Sequence, residues 1–321
     1  MRARVIWLFI AIVTVAFCEE CSSPSAPSTV TVPPVVSAPP AITCPSPINI
    51  TAATTGQTFV KYDGLQANGG QNPVTLSCSP EADTAFPVGT TNVECIATDG
   101  LKRTASCSFA VTVAAAPRLS RTRILAFGDS ITEGEVIVPG TDNVILTLTP
   151  QPYPAVLAEL IRERYGDQPA VFNAGLGGEK AALGDRRLPF EMGKFSADVV
   201  VLLEGANDIY ADPVEGIRAV ELGVGALAAE ARNRKVRAFI CTLTPTKPGR
   251  RGIPIGIIQA ANDRLRAVAR SENAPLIDLF AALLPDLDGN IGSDGLHPTP
   301  LGYRRIAETV FAAIRADLEI H

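Results

Sequence analysis

Histidine is almost missing from this chain: of 321 residues only two carry an imidazole, His297 and His321. No cluster of histidines and cysteines at ligand spacing can be assembled from it, so neither a metal nor another cofactor is expected. A glycine-rich phosphate loop of the Walker type is missing as well, which argues against nucleotide-driven chemistry. Positive charge is not in surplus. Lys and Arg number 28 against 33 Asp and Glu, for a net charge of -5. That balance argues against a broadly basic surface for nucleic acid. Long apolar runs are scarce too. The run Val5–Phe17 is the longest, and it falls short of the roughly 20 residues a spanning helix needs.

What that run offers instead is the order of an export signal. Arg2 and Arg4 precede it, giving the sequence of charge then apolar residues found in secretory leaders. Residues 1–17 are therefore expected to be a signal peptide cleaved near Cys18, and the mature protein periplasmic, cell-surface or secreted. An uncleaved N-terminal anchor is the alternative. The stretch VAFC followed by EECSSPSAPS is similar to a bacterial lipoprotein signal, in which the first mature cysteine carries lipid. Phe17 stands where such signals take a small residue. Membrane contact is thus expected only through the signal or a lipid on Cys18. Residues 18–41, dense in Ser, Pro, Thr and Val, cannot bury enough surface to fold and read as an extended tether.

Residues 42–114 hold four of the seven cysteines, Cys44, Cys78, Cys95 and Cys107, and no histidine. An exported chain can oxidise them, and four cysteines allow three pairings. Short β-branched runs (TFVKY, PVTLSCS, TNVECIATD, ASCSFAVTV) alternate with turn sequences (NGG, PVG, TDG), the pattern of a small β-sandwich. Disulfides suit so short a unit because its core is small. The order CP, LSCSP, FPVGTTNVECIATDG, ASCSFAVTV resembles the hyalin repeat (HYR) module, which implies an immunoglobulin-like β-sandwich used as a spacer or for contact with cell surfaces or glycans.

After a linker at 115–122 the pattern changes to alternating strand and helix across 123–321. Strand-like runs are RILAFGD, PAVFNAG, DVVVLLEG, VRAFICTLT and the shorter APLIDL. Helical stretches are YPAVLAELIRERY, VEGIRAVELGVGALAAEARNR, IIQAANDRLRAVARSEN and LGYRRIAETVFAAIRADLE. Continuous apolar strands between helices predict an α/β fold, a parallel sheet covered on both faces, with the ligand site beyond the C-terminal strand ends. Cys241 lies in the apolar run RAFICTL and is expected to be a buried free thiol.

Four motifs fall at those strand ends. Gly128-Asp129-Ser130-Ile131-Thr132 follows the first strand. A serine there faces free backbone N–H groups; it is either a nucleophile or an ordinary helix cap. A serine nucleophile needs a base, and His321 is the chain's last residue, so the base is His297. Asp294 precedes His297 by three positions, with Gly295 between them for a tight turn. The carboxylate can then reach Nδ1, leaving Nε2 for the serine. Gly205-Ala206-Asn207-Asp208 ends the third strand, where the Asn207 amide is either an oxyanion donor or part of an Asx turn. Asn173-Ala174-Gly175-Leu176-Gly177-Gly178-Glu179 ends the second, and a glycine there lets its N–H approach a substrate.

Taken in order, GDSIT, the glycine block, GAND and DGLHP resemble the four blocks of the SGNH/GDSL hydrolases over about residues 123–317. The resemblance implies an SGNH-type three-layer α/β/α, flavodoxin-like fold and a serine esterase with Ser130 as nucleophile, His297 as base and Asp294 as its orienter. It also implies an oxyanion hole of the Ser130 N–H, a glycine N–H and the Asn207 side chain. NAGLGGEKAALGDRRLP is similar to the matching segment of bacterial arylesterase and thioesterase members, which puts that glycine at Gly178. Lipid, aryl and glycan acyl esters are all compatible substrates. Acyl transfer to a sugar by the same triad, and a surface-binding protein with a vestigial hydrolase domain, are the competing readings. A departure from the family pattern is EVIVPGTDNVILTLTPQP (135–152), expected to be either a hairpin or flap beside the acyl site or surface padding.

Overall fold

The structure, a computed structural model, describes residues 37–321 apart from 54–55, 139, 141–144 and 168. The expected signal peptide and the Cys18 lipid site lie outside the described residues. No helix among those residues is long and apolar enough to cross a membrane.

The described residues up to Ala114 form β-strands joined by turns. Gly89–Thr98 pairs antiparallel with both Thr75–Ser79 and Thr104–Ala114, and Ile48–Thr51 adds parallel to the latter. Ala41–Thr43 pairs with Gln66–Asn68, and Thr58–Val60 with Thr84–Phe86. Alternate residues of the long strands, Val93, Cys95, Phe109, Val111 and Val113, form the core with Val60, Tyr62 and Phe86, as the two-residue strand period requires. The disulfides are Cys44–Cys107 and Cys78–Cys95, and the second joins directly opposed residues of neighbouring strands. Residues just before the first strand are tied in by Arg103, whose guanidinium donates to the carbonyl and hydroxyl oxygens of Ser37.

The second part is a five-stranded parallel sheet. Its order is Ala170–Gly175, Arg123–Gly128, Val199–Leu203, Arg237–Cys241, Leu276–Ile277. Numbered along the chain, that is the 2-1-3-4-5 order of flavodoxin-like sheets. Ile124, Ala126, Val199, Val201, Leu203, Phe239 and Cys241 face one side with the helices Tyr153–Tyr165 and Pro300–Leu318. Leu125, Phe127, Val200, Leu202, Ala238 and Ile240 face the other with Ala181–Phe195, Glu215–Asn233 and Ile255–Ser271. Two covered faces explain why these strands read as unbroken apolar runs. Each fully buried Leu, Ile or Phe contributes about 1.5–3 kcal/mol. Cys241 is a buried free thiol.

The helix Ala181–Phe195 has no clear counterpart in the sequence pattern. It carries Gly184, Gly193 and an internal Pro189, all poor helix formers. Burial of Ala181, Gly184, Leu188 and Met192 along one face overrides that local preference. Within the segment 135–152, Glu135–Ile137 pairs antiparallel with Leu146–Leu148 as the two strands of a hairpin. Before the first parallel strand, Arg118–Leu119 pairs antiparallel with Glu319–Ile320.

Candidate active site

Ser130 opens the short helix Ser130–Glu133, directly beyond the first parallel strand. Asp129 is the residue that caps this helix, accepting the Ile131 N–H at 3.0 Å. Ser130 is thereby released from capping, and its Oγ lies 3.0 Å from His297 Nε2. Gly128 makes the turn between strand and helix tight, since a Cβ there would collide with Thr132 and with the Leu203 carbonyl of the neighbouring strand.

His297 Nδ1 lies 2.5 Å from Asp294 Oδ2. The other carboxylate oxygen accepts the Leu296 and His297 N–H groups at 3.1 and 3.0 Å. Burial opposes ionisation of Asp294, but the hydrogen bonds from the His297 ring and the Leu296 amide outweigh it and hold the carboxyl below its ordinary value. The turn is clamped from outside: the Arg251 N–H donates to the Asp294 carbonyl at 2.7 Å and the Lys247 N–H to Gly295 at 3.0 Å. Asp294 and His297 are fully buried and Ser130 is 5% exposed. An ionised carboxylate on Nδ1 keeps that nitrogen protonated and leaves the Nε2 lone pair toward Ser130.

The other expected donors follow the two strands that flank Arg123–Gly128. Gly128 stands opposite Gly175 on one side and Leu203 on the other, so the blocks containing Gly178 and Asn207 share the C-terminal sheet edge with Ser130. Asn207 Nδ2 donates to the Glu179 carbonyl at 2.9 Å, which ties these two blocks together and leaves its second amide hydrogen over. Among the glycines, the Gly175 N–H is taken by Asn173 Oδ1 at 2.9 Å and the Gly177 N–H by Glu133 Oε2 at 2.6 Å. Gly178 has φ +79°, and open space surrounds the position a Cβ would take. Its N–H bonds to no backbone carbonyl among the described residues.

Beneath this edge is a buried group of charges that the motifs did not reveal. Arg187, from the helix Ala181–Phe195, donates to Glu179 Oε1 at 2.9 Å and to the Ala174 carbonyl at 2.8 Å, and stacks 4.0 Å over the Phe127 ring. Asp208 Oδ2 accepts the Ala181 N–H at 2.9 Å and so caps that helix. Glu204 is buried, and among the described residues neither of its oxygens has a hydrogen-bond partner. Burial, reinforced by the neighbouring Asp129 and Glu179, drives its pKa well above the usual carboxyl range. Among the described residues no three His, Cys, Asp or Glu side chains are arranged to hold a metal ion. A cavity of about 600 Å³ lies between Thr246–Gly249, Gly252–Ile255 and Leu287. It adjoins the Asp294–Gly295 turn through Gly249 and Gly252 but contains none of Ser130, Asp294 and His297 in its lining.

Asp129 gives this group a pH signature. Burial lifts its carboxyl to about 7 from an ordinary 3.8; the Ile131 amide and His297 oppose the rise and Asp208 adds to it. The folded state therefore binds more protons than the unfolded state between these two values, so stability falls as pH rises through that window. Asp129→Asn keeps an oxygen for the Ile131 N–H and removes the titration. Melting temperature should fall less steeply from about pH 5 to pH 8 in Asp129→Asn than in the parent protein. Parallel slopes in the two proteins would refute this.

A doubly covered parallel sheet whose C-terminal edge carries a linear Asp–His–Ser chain defines an α/β ester hydrolase. Residues 126–305 match the GDSL-like lipase/acylhydrolase family, and the chain belongs to that family. Residues 35–113 match the HYR domain. The structure is similar to that of a lipase/acylhydrolase from Enterococcus faecalis, with 26% identity and a TM-score of 0.53 over 61% of this chain and 97% of that one. A carbohydrate acetylesterase from Sinorhizobium meliloti (19% identity, TM-score 0.51, 61% and 99% covered) shares the fold. So does a GDSL-like lipase from Parabacteroides merdae (19% identity, TM-score 0.50, 61% and 98% covered). No curated protein matches the chain significantly.

Proposed function

We propose that this is an exported serine esterase that works through an acyl-enzyme, with Ser130 as nucleophile, His297 as general base and Asp294 as the residue that orients it. The observation that carries this reading is the unbroken chain from Asp294 Oδ2 through both His297 nitrogens to Ser130 Oγ. Ser130 Oγ bonds to the ester carbonyl carbon while its proton passes to His297 Nε2. The oxyanion is held by the N–H groups of Ser130 and Gly178 and by the Asn207 amide. The carbon–oxygen bond to the alcohol then breaks, and His297 returns the proton to the departing oxygen. Water, deprotonated by the same histidine, then attacks the acyl carbon; the bond to Ser130 Oγ breaks as His297 returns that proton to Oγ, and the acid leaves.

Gly178 is preferred over Gly175 and Gly177 because their N–H groups are already engaged. Export is supported by the two disulfides, which persist in oxidising compartments. The β-module is read as a surface spacer.

A fluorophosphonate tests the mechanism directly. It should modify the peptide containing Ser130 and abolish hydrolysis of p-nitrophenyl esters from acetate to palmitate. Labelling at any other serine with parallel loss of activity would reject the assignment. Product made only when a sugar acceptor is supplied would identify a transferase instead.

A further inference from the structure

Glu135 is separated from the helix Ser130–Glu133 by Gly134 alone and begins the hairpin strand Glu135–Ile137. Its backbone is fixed: the Tyr303 hydroxyl donates to its carbonyl at 2.7 Å, and the adjacent Val136 packs on the buried core. Its carboxylate Oε2 lies 3.4 Å from His297 Nε2, the same atom that faces Ser130. Its Oε1 borders the glycine block, where a Cβ on Gly177 would stand 2.6 Å away. The side chain is 22% exposed, and His297 is its ion-pair neighbour among the described residues. A carboxylate has about four acceptor positions, and His297 can occupy one only as the imidazolium, after Nε2 has taken the serine proton. The remaining acceptors border the place where His297 hands its proton to the departing oxygen.

From this juxtaposition we infer that Glu135 selects the leaving group, and that the substrate is an ester of a polyhydric alcohol, a partly acylated sugar whose free hydroxyl beside the ester oxygen donates to Glu135. The inference rests on the serine-esterase reading above and adds its substrate class. A simple alkyl or aryl alcohol brings no donor and leaves the carboxylate partly stripped of water, which is costly for a charged group. An anionic leaving group would meet two carboxylates, because Glu133 lies beside Glu135 at the same glycine. A cationic leaving group would attract Glu135 in the ground state, but His297 is an imidazolium when it protonates the departing oxygen, and a second positive charge beside it is unfavourable. A hydroxyl satisfies the acceptor without adding charge. Glu135 takes no part in the proton transfer; the proton that leaves with the sugar is the one His297 took from Ser130.

Two substrates isolate this contact in the full chain: a methyl xyloside bearing one acetyl group with its neighbouring hydroxyls free, and the same ester with those hydroxyls methylated. In the parent protein kcat/KM should favour the free-hydroxyl ester by about 10-fold or more, the size expected for a hydrogen bond to a charged group. In Glu135→Ala that ratio should fall to near one, and in Glu135→Gln to an intermediate value. Hydrolysis of the methylated ester by the same preparations reports on folding. An unchanged ratio in Glu135→Ala would overturn the assignment. So would a preference for acetylcholine over the xyloside ester that Glu135→Ala abolishes, since the leaving group would then be a cation. Wild-type rates on both esters in Ser130→Ala would instead overturn the underlying esterase reading.

Discussion

Replacing His297 by alanine is expected to lower kcat for ester hydrolysis by on the order of 10⁵, with Ser130→Ala and the double variant falling to the same floor. The losses coincide because the two side chains form one proton-transfer unit: without the base the serine is a poor nucleophile, and without the serine the base has nothing to activate. The other imidazole, His321, is exposed and lies 3.7 Å from Glu319 instead. Glu135 stands 3.4 Å from His297 Nε2, but a carboxylate is a much weaker base than imidazole. Asp294→Asn should cost about 10⁴, less than the other two, because the ring survives in the wrong tautomer. The residual rate in all variants reports the donors at the sheet edge, which the substitutions leave in place. The measurement is kcat on p-nitrophenyl acetate, with the amount of folded protein in each preparation fixed by absorbance and circular dichroism. Additive losses in the double variant would mean that Ser130 and His297 do not act as a unit.

What was legible in the sequence was whatever depends on local order. The strands are unbroken apolar runs because both sheet faces are covered, and the helices of Tyr153–Tyr165 and Pro300–Leu318 repeat apolar residues at helical spacing. The blocks GDSIT, GAND and DGLH fall at strand ends, where a parallel sheet collects its ligand-binding residues. The pairing of Asp294 with His297 was readable because only Gly295 and Leu296 separate them. Contacts between distant segments were not readable. The helix Ala181–Phe195 contradicts its own propensities and forms because the sheet buries one face of it. The choice among Gly175, Gly177 and Gly178 depends on which N–H groups other segments occupy, and one acceptor is Glu133, 44 positions away from Gly177. Glu135 sat in a stretch whose hairpin was only one of two readings. Its proximity to His297 links residues 162 positions apart, a distance no local pattern encodes.

Arg187 carries the second large expected effect, this one on stability. Its guanidinium is the cation beside Glu179, whose side chain is 4% exposed, and it also holds the Ala174 carbonyl and the Phe127 ring. Arg187→Met keeps much of the side-chain volume and removes the charge and every donor. Glu179 is then a buried carboxylate with no cation, beside Glu204, whose carboxyl burial pushes well above its ordinary range. Removing one partner of such a pair costs about 3–5 kcal/mol. For a unit of this size that corresponds to a fall in melting temperature of about 10 °C. Activity should fall as well, because the Glu179 carbonyl is the acceptor for Asn207 and the loop carrying Gly178 is anchored through the same residue. The penalty comes from the stranded charge more than from the lost pair, so Arg187→Met combined with Glu179→Gln should recover most of the stability. Thermal unfolding of the parent, the single and the double variant separates these contributions. A double variant no more stable than Arg187→Met would show that the contacts of the guanidinium with Ala174 and Phe127, rather than neutralisation of Glu179, hold this edge of the sheet together.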